Sequence, residues 1–219
     1  MAASSPVHFT GIPFAALDFY EDLEADNSKS FWSAHKHVYD ASVRPPMAAL
    51  ADALAEEFGA AKLFRPYRDV RFSKDKTPYK THQGAFVGTA PGTGYYAQID
   101  ASGLMVAGGF YAASPSQLAR LRATIDDDVR GPELEALVSR VRAAGLEVSG
   151  NRLKTKPRGY AADHPRIELL RHRSLTAGVS FGSPEWLKTP EAVDHVRDTW
   201  RTLSPLVEWL TQVLQELPE

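Results

Sequence analysis

The chain has no cysteine, which rules out disulfides, thiolate metal sites and cysteine nucleophiles and fits a reducing compartment. No apolar run approaches the roughly 18 to 20 residues that span a bilayer. Met1 to Pro6 lacks both the basic start and the apolar centre of a secretion signal, so a cytoplasmic protein without a membrane partner is expected. No Gly/Ser/Pro-rich linker, internal repeat, coiled-coil heptad or low-complexity tract divides the 219 residues. The expectation is a flexible amino terminus over 1–8 and a single α+β domain over 9–219.

Hydrophobic residues at 43% and charged residues at 24% are ordinary for a globular protein, so extensive disorder is not expected. The net charge of -2 argues against general coating of nucleic acid, but it is unevenly spread. Lys62 to His82 holds seven Lys or Arg against two Asp, and Asn151 to Arg173 holds seven against Asp163 and Glu168. Each segment is +5, while the remainder has 11 basic and 23 acidic residues. Two basic islands therefore sit in an acidic chain.

Periodicity predicts helices at both ends. Phe14, Leu17, Tyr20 and Leu23 line one face, Ser28 or Ser30 caps a second helix to about Asp40, and Pro45-Pro46 break the chain before a third from about Met47 to Phe58. In the middle the period becomes extended: Ala85 to Val87, Tyr95 to Asp100 and Leu104 to Tyr111 read as an antiparallel meander. Gly108-Gly109 in the last of these indicates a bulge or the close approach of a backbone or ligand. Helices follow from Ser114-Pro115 to about Ile125 and from Pro132 to Ala144, with a short strand at Leu146 to Val148. Asp163-His164-Pro165 reads as a helix cap, Leu175 to Phe181 as a last strand, and Thr189-Pro190 as the start of a helical tail bent near Pro205. The fold class is α+β, a central antiparallel sheet packed by amino- and carboxy-terminal helices.

The most informative stretch is Arg68 to Lys80. Five of its thirteen residues are Lys or Arg, Pro78 excludes a regular helix, and only a few side chains can bury a face. Phe72, between Arg71 and Ser73, is expected to turn into the core because an extended chain alternates faces. This segment resembles the R-D-x-R-F-S-K-D-K-[ST]-P-Y-K hallmark of a widespread microbial family of conserved hypothetical proteins, a domain of unknown function, and a second basic stretch, Lys154-Thr155-Lys156-Pro157-Arg158-Gly159-Tyr160, is likewise no continuous helix. The likeness extends over Phe9-Thr10-Gly11, Phe31-Trp32, Gly108-Gly109 with Tyr111, and the run from Leu153 to Pro165. Asp26-Asn27 and Phe31-Trp32 stand where other members more often have paired Asn and a Trp-Phe order. The resemblance transfers no catalytic residue, and it leaves both catalysis and a cofactor open.

Arg offers a planar fork for phosphate or carboxylate oxygens, and Lys adds a point charge. The candidate ligand-binding residues are Arg68, Asp69, Arg71, Lys74, Asp75, Lys76, Tyr79 and Lys80 in the first loop, and Lys154, Arg158, Tyr160 and His164 in the second. The two loops, 68–80 and 152–164, are expected to be neighbours, with Asp69, Asp75 or Asp163 as counter-charges. The expected partner is an anionic, preferably phosphorylated, small molecule. The alternatives are an internal ion-pair network and a non-catalytic adaptor surface for an acidic protein or nucleic acid. Gly178 to Gly182 matches G-x-S-x-G, but no parallel strand-helix alternation precedes Ser180, as a nucleophile elbow would require. His35 and His37, two apart on a helix, point in different directions and cannot easily share a metal, so no metal site is expected. Gly92-Thr93-Gly94 and Gly108-Gly109 lack the context of a nucleotide-phosphate loop.

Overall fold

The computed structural model describes residues 8–71 and 73–215. The expected flexible terminus falls almost wholly outside the described residues, and so does Phe72, for which a place in the core was expected. The fold is α+β: a six-stranded antiparallel sheet of order β1-β2-β3-β4-β6-β5, packed by helices from both ends of the chain. The chain divides into two compact units.

The first unit comprises the chain up to Val87 with Tyr96–Val106 and Ser180–Asp198. Helix α1, Ala15–Ala25, buries Leu17, Tyr20 and Leu23 at three-residue spacing, joined by Ala16 and Phe19. Before it, the Ile12 amide donates to Leu187 O at 2.8 Å, and Gly11 has φ 121°. A Cβ there would lie 2.2 Å from the Lys188 carbonyl carbon, so only glycine fits. Ser28 caps α2, Lys29–Val38, by accepting from the Phe31 amide at 3.1 Å.

The expected break at Pro45-Pro46 does not occur. A π-turn over Tyr39–Val43 carries α2 directly into α3, Arg44–Phe58, whose first turn holds both prolines. Proline has no amide hydrogen to donate and is pre-set for a helical first turn, so the wider turn joins the helices where the sequence suggested an interruption. Met47, Leu50 and Leu54 are buried, and Gly59 at φ 95° ends the element. Strand β1, Lys62–Leu63, pairs antiparallel with β2, His82–Ala90, Lys62 opposite Phe86. The meander continues through β3, Thr93–Asp100, and β4, Gly103–Phe110.

The second unit comprises Gly88–Tyr95, Ala107–Val179 and the chain from Thr199. Helix α4, Pro115–Asp126, has a full capping box between Ser114 and Gln117. Helix α5, Arg130–Ala143, buries Leu134, Val138 and Val141, and Gly145 follows it at φ 82°. Strand β5, Glu147–Ser149, pairs with β6, Leu175–Gly182, Val148 opposite Ala177. Gly109, at φ 133°, meets β6 so closely that a Cβ would lie 2.3 Å from Leu175 O, which is the close backbone approach its sequence suggested.

Asp163 does not cap the helix that follows. The short helix α6, Ile167–Leu170, begins after Arg166 with no side-chain cap, and the Arg166 amide donates to His164 Nδ1 at 3.0 Å. The tail is one helix, α7, Ala192–Leu214, with Pro205 inside it. From Trp200 onward its buried face carries Leu203, Val207 and Leu210. Ser180 is an exposed residue of antiparallel β6, which is not the setting of a nucleophile elbow. Among the described residues no helix is long and apolar enough to cross a membrane.

Candidate ligand-binding site

In the first unit the basic loop is a hairpin closed at its neck. Tyr67 and Tyr79 form an antiparallel bridge, the Arg68 amide donates to Pro78 O at 2.9 Å, and the Lys80 amide donates to Pro66 O at 2.8 Å. Asn27 locks the same neck from outside: its Nδ2 donates to Tyr79 O at 3.0 Å and its Oδ1 accepts from the Tyr79 amide at 3.1 Å. The Tyr79 ring, 6% exposed, stacks on Trp32 with centroids 4.3 Å apart and planes 10° off parallel. Tyr79 is therefore an anchor of the loop.

Within the loop the carboxylates take up part of the positive charge. Asp75 Oδ1 accepts from the amide and hydroxyl of Thr77, both at 2.9 Å, and Arg68 reaches both Asp75 Oδ2 and the Thr77 hydroxyl. The Thr77 amide first, then the Arg68 guanidinium, hold the Asp75 carboxyl down at about 2. Arg71 grips Asp69 with two bonds, Nε to Oδ1 at 2.9 Å and Nη2 to Oδ2 at 2.6 Å, and lowers its carboxyl in the same way. This second pair is on the surface, with the Arg71 side chain 77% exposed. Lys76 Nζ donates to Val70 O at 2.9 Å. Lys74 is exposed and has no carboxylate partner among the described residues.

Unpaired charge collects at the foot of the hairpin instead. Lys80 Nζ lies 5.0 Å over the Phe64 ring, and the Lys80 amide donates to the carbonyl of Pro66, the residue after Arg65. Burial first, then the Arg65 charge, push the Lys80 ammonium below its usual range. His82 is lowered as well, by burial first and then by Lys80. Neither Lys80 nor Arg65 has an ion pair among the described residues.

Beside this foot is a cleft of about 280 Å³ lined by Trp32, Tyr39, Arg44, Phe64, Arg65 and Tyr67 among others. Its walls are fixed from behind by Gln83, which is 1% exposed. The Tyr39 hydroxyl donates to Gln83 Oε1 at 2.7 Å, and Gln83 Nε2 donates to Phe64 O at 2.9 Å. Burial raises the Tyr39 phenol to about 12, so it stays neutral and donating. The indole Nε1 of Trp32 is buried with no acceptor among the described residues, and Tyr67 is 48% exposed. Lys36, on the same rim, is paired with Asp40, whereas Arg44 has no ion pair among the described residues.

The second basic loop belongs to the second unit. Lys156 Nζ donates to Tyr160 O at 2.5 Å, and the Tyr160 ring meets His164 edge-on at 6.2 Å. His164 Nε2 is 2.9 Å from Asp126 Oδ1, which binds it into the structure at both ring nitrogens. Lys154, Arg158 and Asp163 are exposed, with no ion pair among the described residues. Among the described residues no three His, Asp or Glu side chains come together as a metal site.

Arg44 and Arg65 were missed as individual residues. Arg65 falls inside the first basic island but outside the 68–80 motif. Arg44 directly precedes Pro45-Pro46, and its place on the cleft depends on the π-turn, which has no strong sequence signature. The family described as Conserved hypothetical protein (DUF2461) matches residues 15–209. The chain belongs to that family, and no curated protein matches it.

Proposed function

We propose that this member of the DUF2461 family binds a phosphorylated or otherwise anionic small molecule at the foot of its basic hairpin, with Arg65, Lys80 and Arg44 as the contacting cations. One observation carries the reading: Arg65 is close enough to Lys80 to disfavour the Lys80 charge, yet neither has a carboxylate partner among the described residues. Uncompensated like charges beside a cleft lose repulsion when an oxyanion enters, and three cations match a phosphate dianion better than a single carboxylate. The Arg68–Asp75–Thr77 clasp holds the hairpin in shape, and Trp32 and Tyr39 supply the nonpolar wall that such pockets use for orientation. Lys154 and Arg158 carry the same anion-binding reading on the second unit. A cytoplasmic ligand pool is part of the proposal.

The test is a phosphate titration followed by proton–nitrogen NMR, with chloride at matched ionic strength as the control. Saturable movement of the amide signals of Leu63, Phe64, Arg65, Tyr67 and Lys80 is expected, and it should be lost in the Arg65→Ala/Lys80→Ala double variant. No saturable movement in the wild type would overturn the site. If the same signals answered instead to single-stranded nucleic acid, with affinity falling steeply and log-linearly in salt, the adaptor reading would replace it.

A further inference from the structure

We infer a second, separate oxyanion site in the second unit, in which Arg142 and Arg152 receive the anion and the buried imidazole of His172 completes the site through Nε2. These side chains line a cavity of about 200 Å³, together with Glu135, Arg166 and Glu168. Glu135, Ser139 and Arg142 are spaced four and three apart, so one face of α5 forms a wall. Opposite it, a stretch of strand-like pairing fixes Arg152 against His172. The two residues form an antiparallel bridge, the Leu153 amide donates to Arg171 O at 2.8 Å, and the Arg173 amide donates to Asn151 O at 2.7 Å.

The charges around the cavity are unevenly satisfied. Glu168 is shared, with Oε1 2.8 Å from Arg171 and Oε2 3.4 Å from Arg152, so Arg152 has only half a counter-ion. Arg166 spends its guanidinium on the carbonyl oxygens of Ile125, Asp126 and Asp127, which leaves its charge in place. Arg142 and Glu135 have no ion pair among the described residues. Positive charge therefore exceeds negative charge at the wall.

His172 is 6% exposed, and its Nδ1 lies 2.7 Å from Ser174 O. A carbonyl can only accept, so Nδ1 carries the proton and Nε2 of the neutral ring is a bare acceptor with no partner among the described residues. Burial is the main cause that keeps the ring neutral. Arg152 and Arg142 add to it, while the Ser174 carbonyl and Glu168 oppose it. An oxyanion between the two arginines reverses their effect, because it stabilises the imidazolium, whose Nε2–H then donates to it. Binding of the anion and protonation of His172 are thereby linked, each favouring the other.

Sulfate is a suitable probe because it stays fully ionised across the histidine range. The His172 Cε1–H resonance is followed against pH in saturating sulfate and in chloride of equal ionic strength. The titration should move upward in sulfate by about one unit, equivalent to about tenfold tighter binding to the protonated form. Arg142→Ala/Arg152→Ala should lose the movement, and Arg142→Lys should keep much of it. Superimposable titrations in sulfate and chloride would overturn the inference, and so would a shift that survives in the double variant.

Discussion

Asn27 donates to Tyr79 O and accepts from Tyr79 N, and Tyr79 stacks on Trp32, so one amide side chain and one ring hold the neck of a loop composed largely of charge. Asn27→Ala leaves two backbone groups of a nearly buried residue without partners and should cost about 1–3 kcal/mol in chemical denaturation. Tyr79→Ala removes a buried aromatic from a four-ring cluster with Trp32, Tyr39 and Tyr67, and a loss of about 3–5 kcal/mol is expected. Arg71→Ala contrasts with both. Its pair with Asp69 is open to solvent, so the midpoint should stay close to wild type despite two well-formed hydrogen bonds. An Arg71→Ala loss as large as that of Tyr79→Ala would mean that the loop is held by its ions after all. The sequence marked Tyr79 and Arg71 alike as motif residues, because motif membership does not reveal which side chain faces inward.

At the level of elements, the two glycines of β4 were legible for a physical reason. Glycine inside an otherwise apolar strand gives up packing and entropy, so something must occupy the space of the missing side chain. At Gly109 that occupant is the Leu175 carbonyl of β6, and φ 133° adds a backbone conformation that other residues rarely adopt. Gly109→Ala should therefore cost at least about 1–3 kcal/mol in strain, before any displacement of β6. Hydrogen exchange at the β6 amides reads this directly, and unchanged protection there would remove the close approach as an explanation. The meander and most helices were legible because their spacings of two and of three to four recur over many residues. The π-turn was not, because Tyr39–Val43 differs from an ordinary helix only in one hydrogen-bond step. The site suffered from the same limit. Lys80 was visible in a motif, but Arg44, Arg142 and His172 are scattered residues brought to their cavities by tertiary structure alone.

For the molecule as a whole, acid is the direction of weakness, because the lowered groups in both units act with one sign. His82 in the first unit and His172 in the second are both held neutral chiefly by burial, with folded values below the ordinary 6.5. Between the unfolded and folded values the unfolded chain binds more protons, so stability is intact above the unfolded value and declines as pH falls through the folded one. Asp75, held near 2 against 3.8 in the free side chain, and Asp69 and Asp127, lowered by hydrogen bonds, follow the same rule in a more acidic window. Chemical denaturation as a function of pH should therefore show a decline that begins below about pH 6.5 and a second one below about pH 4. The upper decline belongs to the imidazoles. Replacing His82 by Gln, which remains neutral in acid, should reduce it, while the lower decline, which comes from carboxylates, persists. If stability were flat from pH 7 to 5 in the wild type, the imidazoles would not be held neutral by the fold. The Arg65–Lys80 site, which needs no titrating group near neutrality, would stand.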